Sequence, residues 1–157
     1  MPTDHTGRDR FQTLSVIIPV YNERQTVIQL LEQVGQQPVP LHKELIIVDD
    51  CSTDGTREFL EQSNLQSELG HNGQNIVKLA LHDKNRGKGA AVRTGLTHAS
   101  GEIVLIQDAD LEYDPGDYPE LLRPILDGHA DAVFGNRFHS GSHRVPRYYR
   151  YLFNRLF

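Results

Sequence analysis

The chain holds a single cysteine, Cys51, which excludes an internal disulfide and fits a reducing compartment. It has no apolar run near the roughly 20 residues that a bilayer-spanning helix needs, and its N-terminus carries no signal-peptide core. Basic residues are in the minority, 16 Lys and Arg against 21 Asp and Glu in 157 residues. The net charge of -5 therefore gives no whole-molecule attraction to nucleic acid, and nucleic-acid binding is not expected. No G-x-G-x-x-G follows the first apolar segment, and Gly87-Lys88-Gly89 lacks the Ser or Thr and the upstream Gly of a P-loop. His residues are scattered without a zinc spacing, and there is no G-x-S-x-G. Dinucleotide, P-loop, zinc and serine-hydrolase chemistries are set aside on these grounds.

What is present is an alternation of buried-type strands and amphipathic helices, in a length suited to one domain. Residues 1–13 are polar and read as a flexible leader, with the folded domain running from Leu14 to Phe157. Leu14 to Val20 reads as a strand closed by Pro19, followed by a helix carrying Val27, Leu30, Leu31 and Val34, with Asn22 or Thr26 as its N-cap. Glu44 to Asp50 is a second strand, and a short helix around Phe59 and Leu60 follows the turn residues Ser52 to Thr56. Gln62 to Gln74 reads as a polar surface excursion and Ile76 to Leu81 as a third strand. A helix with Val92, Leu96 and Ala99 on its inner face comes next, then the strand Ile103 to Ile106, a helix over Tyr118 to Leu126 containing Pro124, and a strand over Ala130 to Phe134. This order predicts an α/β fold: a doubly wound, mostly parallel sheet with helices on both faces.

Ile103 to Ile106 is a continuous apolar run, as expected of a strand covered on both faces, and it ends in the carboxylates Asp108, Asp110, Glu112 and Asp114. In an open α/β sheet the carboxyl ends of the strands face the ligand crevice. Asp108 and Asp110 are two apart, so in an extended segment both point the same way and offer hard oxygens to one Mg²⁺ or Mn²⁺. Such an ion completes its shell with water and substrate phosphate. Asp114-Pro115 reads as the lead-in to the next helix. Four segments share the crevice edge: Pro19 to Glu23, Asp49-Asp50, Asn85 to Gly89, and Asp108 to Glu112. Acids for base and ribose donors, Arg86 and Lys88 for phosphates, and a metal pair are what a nucleotide diphosphate sugar demands.

PVYNE (Pro19 to Glu23), VDDCSTDGT (Val48 to Thr56), NRGKGAAVRTG (Asn85 to Gly95), DADLEYDP (Asp108 to Pro115) and GNRF (Gly135 to Phe138) resemble the successive blocks of family-2 glycosyltransferases with the GT-A fold. The likeness extends to the dolichyl-phosphate mannosyltransferases and other polyprenyl-phosphate hexosyltransferases. It implies that Pro19, Tyr21, Glu23 and Asp50 cradle the nucleoside with Asp49 beside them, and that Lys88 lies near the base or diphosphate. It also implies that Asp108 and Asp110 hold the metal, with Glu112 in its shell where many relatives have Gln, and that Arg137 meets a phosphate of donor or acceptor. Cys51 stands where Gly is usual. The resemblance reads this chain as an N-terminal portion, its C-terminal element cut short.

The implied reaction is inverting transfer of a hexose to a polyprenyl phosphate, with Arg137, Arg147 and Arg150 on the acceptor phosphate. A phosphate monoester is already largely dianionic at neutral pH, with a second pKa of about 6, and needs no general base. Transfer to a sugar hydroxyl does need one. That is the alternative, and a Mg²⁺-binding receiver module, suggested by IIVDD, is an alternative of another class. The Arg and aromatic residues after Arg144 suit either a helix at a membrane surface or an ordinary helix packed on the sheet, and the first of these sets the expected location at the cytoplasmic face of a membrane.

Overall fold

The computed structural model of the protein describes residues 10–70 and 75–135. Four strands, β1 (Thr13–Val20), β2 (His42–Asp49), β3 (Asn75–Leu81) and β4 (Ile103–Ile106), form one parallel sheet in the order β3-β2-β1-β4. Between and after them run α1 (Val27–Gln36), α2 (Thr56–Gln62), α3 (Leu65–Leu69), α4 (Lys88–His98) and α5 (Tyr118–Leu126). A 3₁₀ turn over Pro115–Asp117 leads into α5, with the Asp114 side chain accepting the Gly116 N–H at 2.8 Å, as the Asp-Pro pair predicted.

Period-2 alternation divides the core between the two faces of the sheet. Leu14, Val16, Ile18 and Val20 of β1 and Leu45 and Ile47 of β2 face one way, packed with Leu30, Leu31 and Val34 of α1 and Tyr118 and Leu122 of α5. Ile17, Ile46 and Val48 face the other way, onto Ala91 of α4. Helices thus cover both faces, as expected.

The inner face of α4 differs from the expectation. Ala90, Ala91 and Gly95 are buried, while Leu96 is exposed and Val92 half-buried. The reason is distance: small residues let the helix lie close against β1, and a Cβ at Gly95 would stand 2.3 Å from Ile17 Cγ2. Gly95→Ala is therefore expected to destabilise the fold by about 1–3 kcal/mol through overpacking, despite alanine's better helix propensity of ~1 kcal/mol. Urea unfolding checks this, and an unchanged midpoint would mean that α4 lifts freely off the sheet.

Other expectations also need correction. Gln62 to Gln74 is not simply an excursion: α3 forms within it because Leu65 and Leu69, four apart, bury one face, and Asn64 caps it by accepting from the Ser67 N–H. Thr26, not Asn22, is the N-cap of α1, and its hydroxyl turns to Glu23 instead of the helix. β1 begins at Thr13 and runs through Pro19 to Val20, and Phe11 packs on the core, so the folded part starts before Leu14. β4 is covered on one face only among the described residues: Ile103 is buried, but Val104 and Ile106 are 40% and 52% exposed. Its apolar run is thus an edge among the described strands. Ala130 to Phe134 is not a strand, and Phe134 is 91% exposed, because a strand requires a ladder and this segment pairs with no described strand.

At the amino end of the sheet, buried Glu44 ties four elements together. Its carboxylate accepts from Ser15 Oγ at 2.6 Å, from Ser100 N and Oγ at 2.9 Å each, and from the Lys78 ammonium. Burial works to raise this carboxyl, but the bonds from Lys78, Ser15 and Ser100 win and hold it down at about 2. Among the described residues no helix is long and apolar enough to cross a membrane.

Candidate active site at the carboxyl ends of the strands

The chain steps outward from β1 to β2 and β3, then returns to the far side of β1 for β4. The loops after β1 and β4 are therefore neighbours where the strand order reverses, the place at which open α/β sheets bind ligands. A cleft of about 270 Å³ lies there, lined by Pro19, Tyr21 and Glu23 from β1 and its loop, Asp50 after β2, Asn85, Gly87 and Lys88 at the start of α4, and Asp108, Ala109 and Asp110 after β4. The four segments picked from the sequence meet in it. A larger hollow of about 600 Å³ opens at the opposite edge beside Lys43. Burial lowers that ammonium to about 8, and its protons go to the carbonyls of Val34, Gly35 and Gln37.

Asp50 is buried at the cleft wall and acts partly as a strut. Its Oδ1 accepts from His82 Nδ1 at 2.6 Å and from the Arg86 N–H at 2.9 Å, and its Oδ2 from the Gly87 N–H at 2.7 Å. Burial pushes the carboxyl up, yet these bonds outweigh it and keep Asp50 below the ordinary carboxylate range. The same bonds pin the loop entering α4, which sets Lys88. The Lys88 ammonium lies 2.5 Å from Asp108 Oδ1, bridging the two walls of the cleft.

The Asp108 to Leu111 segment is a turn and not the extended stretch expected, with Leu111 at φ +59° and Asp110 Oδ1 accepting the Glu112 N–H at 3.0 Å. Buried Gln107 staples it: its amide donates to the carbonyls of Asp108 and Tyr113, and its oxygen accepts the Tyr118 hydroxyl at 2.9 Å. Gln107, Tyr118, His82 and Thr94 were not singled out in the sequence. Gln107 and His82 carry the one signal available, a polar residue just past an apolar strand.

Each of the four crevice loops contains a residue with positive φ, namely Asn22, Cys51, Gly87 and Leu111, and the β2 loop has a second in Gly55. Asn and Gly accept this cheaply, whereas Cys and Leu incur roughly 1–2 kcal/mol each. Cys51→Gly is therefore expected to raise the melting temperature by a few degrees, after allowing ~0.5–1 kcal/mol for the greater freedom of glycine in the unfolded chain. A fall would show that the thiol's contact with the Asp83 carbonyl outweighs the backbone strain.

Three expected site residues stand outside the cleft lining. Asp49 is fully buried, with Arg57 Nε at 2.8 Å and the Ser52 N–H as donors, so it braces the β2 loop. Arg86 contributes its backbone N–H to Asp50, and Glu112 follows the cleft segment without lining it. Arg137, Arg147 and Arg150 lie outside the described residues, as do residues 1–9 of the expected leader.

Residues 15–157 match the sequence model of Glycosyl transferase family 2. The chain belongs to that family. The chain is similar to a dolichol-phosphate mannosyltransferase of Pyrococcus furiosus, 34% identical over 128 residues, which cover 82% of this chain and 34% of that protein. An undecaprenyl-phosphate 4-deoxy-4-formamido-L-arabinose transferase of Pseudomonas fluorescens is 31% identical over 137 residues, 85% of this chain and 38% of that protein. The chain thus spans about a third of the length of the curated relatives it matches. Among solved structures, the mannosyltransferase PcManGT of Pyrobaculum calidifontis in complex with GDP-Man and Mn²⁺ is similar at 30% identity and a TM-score of 0.53, covering 64% of this chain and 28% of that one. S. aureus TarS 1-349 in complex with UDP-GlcNAc is similar at 28% identity and a TM-score of 0.57, covering 75% and 32%. The fold of this family-2 chain is GT-A, as the resemblance implied. That places Asp49-Asp50 at the end of the second strand of a glycosyltransferase sheet, and the receiver alternative falls.

Proposed function

We propose that the protein takes part in metal-dependent transfer of a hexose from a nucleotide diphosphate sugar to a polyprenyl phosphate, with inversion, at the cytoplasmic face of a membrane. The observation that carries the reading is the cleft at the strand-order reversal, which joins Asp108 and Asp110 on one wall to Lys88 and Asp50 on the other. Relatives named for dolichol-phosphate and undecaprenyl-phosphate transfer support the lipid acceptor.

The donor set fits a hard divalent cation. Asp108 and Asp110 supply only oxygens, and Asp108 Oδ1 already draws an ammonium to 2.5 Å. Among the described residues no three carboxylate, His or Cys side chains converge into an all-protein cage, and Mg²⁺ or Mn²⁺ held by two carboxylates takes its other ligands from water and phosphate. The chemistry such a cation supplies is neutralisation of the charge that grows on the leaving diphosphate. Lys88 reaches the same region and contributes a second positive charge to that diphosphate. Tyr21 and Pro19 give the nucleoside an apolar wall, and Asp50 an acceptor. Acceptor phosphate is assigned to Arg137, Arg147 and Arg150, whose guanidinium forks suit a phosphate bidentately.

Incubation with radiolabelled UDP- and GDP-sugars, Mn²⁺, and either undecaprenyl phosphate or free sugars tests the acceptor. Label extracted with the lipid is expected. Label found only in sugar or polymer would transfer the reading to hydroxyl-acceptor chemistry.

A further inference from the structure

His82 follows β3 and is fixed by its backbone: its N–H donates to the Asp49 carbonyl at 2.9 Å, and its own carbonyl accepts Arg57 Nη2 at 2.6 Å. The ring is buried with both nitrogens engaged, Nδ1 at 2.6 Å from Asp50 Oδ1 and Nε2 at 2.8 Å from Thr94 Oγ1 on α4. An ionised Asp50 only accepts, so Nδ1 carries the proton, and Nε2 is left to the Thr94 hydroxyl, which can donate or accept. A carboxylate offers about four in-plane lone pairs. His82 and the Arg86 N–H occupy Oδ1, and the Gly87 N–H occupies one site on Oδ2. One acceptor site on Oδ2 remains, on a residue that lines the cleft.

We propose that His82 is a positioning residue for nucleobase recognition: through its Nδ1–H bond it fixes the rotation of the Asp50 carboxylate, so that the remaining Oδ2 site is presented to an N–H of the donor's base. The inference rests on the nucleotide-sugar reading above and deepens it. The group recognised is a ring N–H of the imide or lactam type, present in uracil and guanine; cytosine and adenine carry an acceptor at the corresponding ring nitrogen. Rotation matters because a carboxylate turned about its χ2 bond exchanges in-plane acceptor directions for the weakly accepting faces. Thr94 holds the far side of the ring and so couples α4, which carries Lys88, to the orientation of Asp50.

Two variants separate this role from simple packing. The Asn amide reaches about as far as Nδ1, so His82→Asn keeps a donor on Asp50 and loses only the Thr94 link. The Gln amide reaches about as far as Nε2, so His82→Gln keeps the Thr94 link and removes the donor from Asp50. Calorimetric titration with UDP and with GDP, each with Mn²⁺, is expected to give parent-like Kd for His82→Asn, within about 3-fold, and about 10-fold weaker binding for His82→Gln. Packing alone would move both variants together with their melting temperatures. Equal Kd values in the two variants, changed or not, would overturn the role of His82 while leaving the nucleotide site standing. A parent that binds neither nucleotide would remove the site and the inference together. Independently of any variant, the ring ¹⁵N spectrum of the parent is expected to show the proton on Nδ1, and a ring protonated only on Nε2 would overturn the proposal.

Discussion

Alanine at both Asp108 and Asp110 is expected to reduce transfer by on the order of 10³-fold or more and to remove the Mn²⁺-dependence of UDP or GDP binding. The two carboxylates are the hard donors that the segment after β4 brings to the cleft, and no third metal-binding side chain converges with them among the described residues. The fold should survive. Asp110 accepts the neighbouring Glu112 N–H at 3.0 Å, and Asp108 pairs with an exposed lysine, so the stability cost should stay within about 1 kcal/mol. The measurement is turnover at saturating cation beside calorimetry with and without Mn²⁺. Unchanged turnover would sink the metal site and with it the proposed mechanism.

Glu44→Ala should produce the largest loss of stability, about 3–5 kcal/mol, because it leaves the Ser15 and Ser100 donors and the Lys78 ammonium without their shared acceptor. The same carboxylate governs acid stability. Its folded-state pKa, about 2, lies below the ordinary 4.5. Its contribution is therefore complete above about pH 4.5 and disappears as pH falls towards 2, a loss of about 3 kcal/mol at the acid end. Urea midpoints between pH 6 and pH 2, parent against Glu44→Gln, read this directly. The parent should lose its advantage across that window, and parallel curves would show that Glu44 titrates alike in both states.

The sheet was legible because its strands are dense in branched apolar residues and end in acids or turn formers. ELIIVDD is buried along nearly its whole length, as such a composition requires. The inner face of α4 was not legible, since Val92 and Leu96 are larger than Ala91 and Gly95 and periodicity weighs size, whereas close packing on β1 selects the small residues. α3 was hidden by its polar neighbours, and only the spacing of Leu65 and Leu69 announces it. In the site, the residues facing the cleft could be found because topology places strand ends together. Their division into ligand-facing and bracing roles could not: Asp49 and Asp50 are adjacent and chemically identical, and only the location of Arg57 and His82 in space separates them.

The loops after β1 and β2 are sewn to each other. The Asn22 N–H donates to Ser52 Oγ, the Thr53 N–H to Asn22 Oδ1, the Glu23 N–H to Thr56 Oγ1, and the Arg24 N–H to Asp54 Oδ2. These four cross-links make one jaw of the cleft a stiff anvil. The opposing jaw, hung from Gln107 and bridged by an exposed lysine, has no comparable stitching among the bonds described. Ligand-driven closure should then be one-sided, with slow amide exchange concentrated at Asn22, Glu23 and Thr53 and quickly exchanging amides around Ala109.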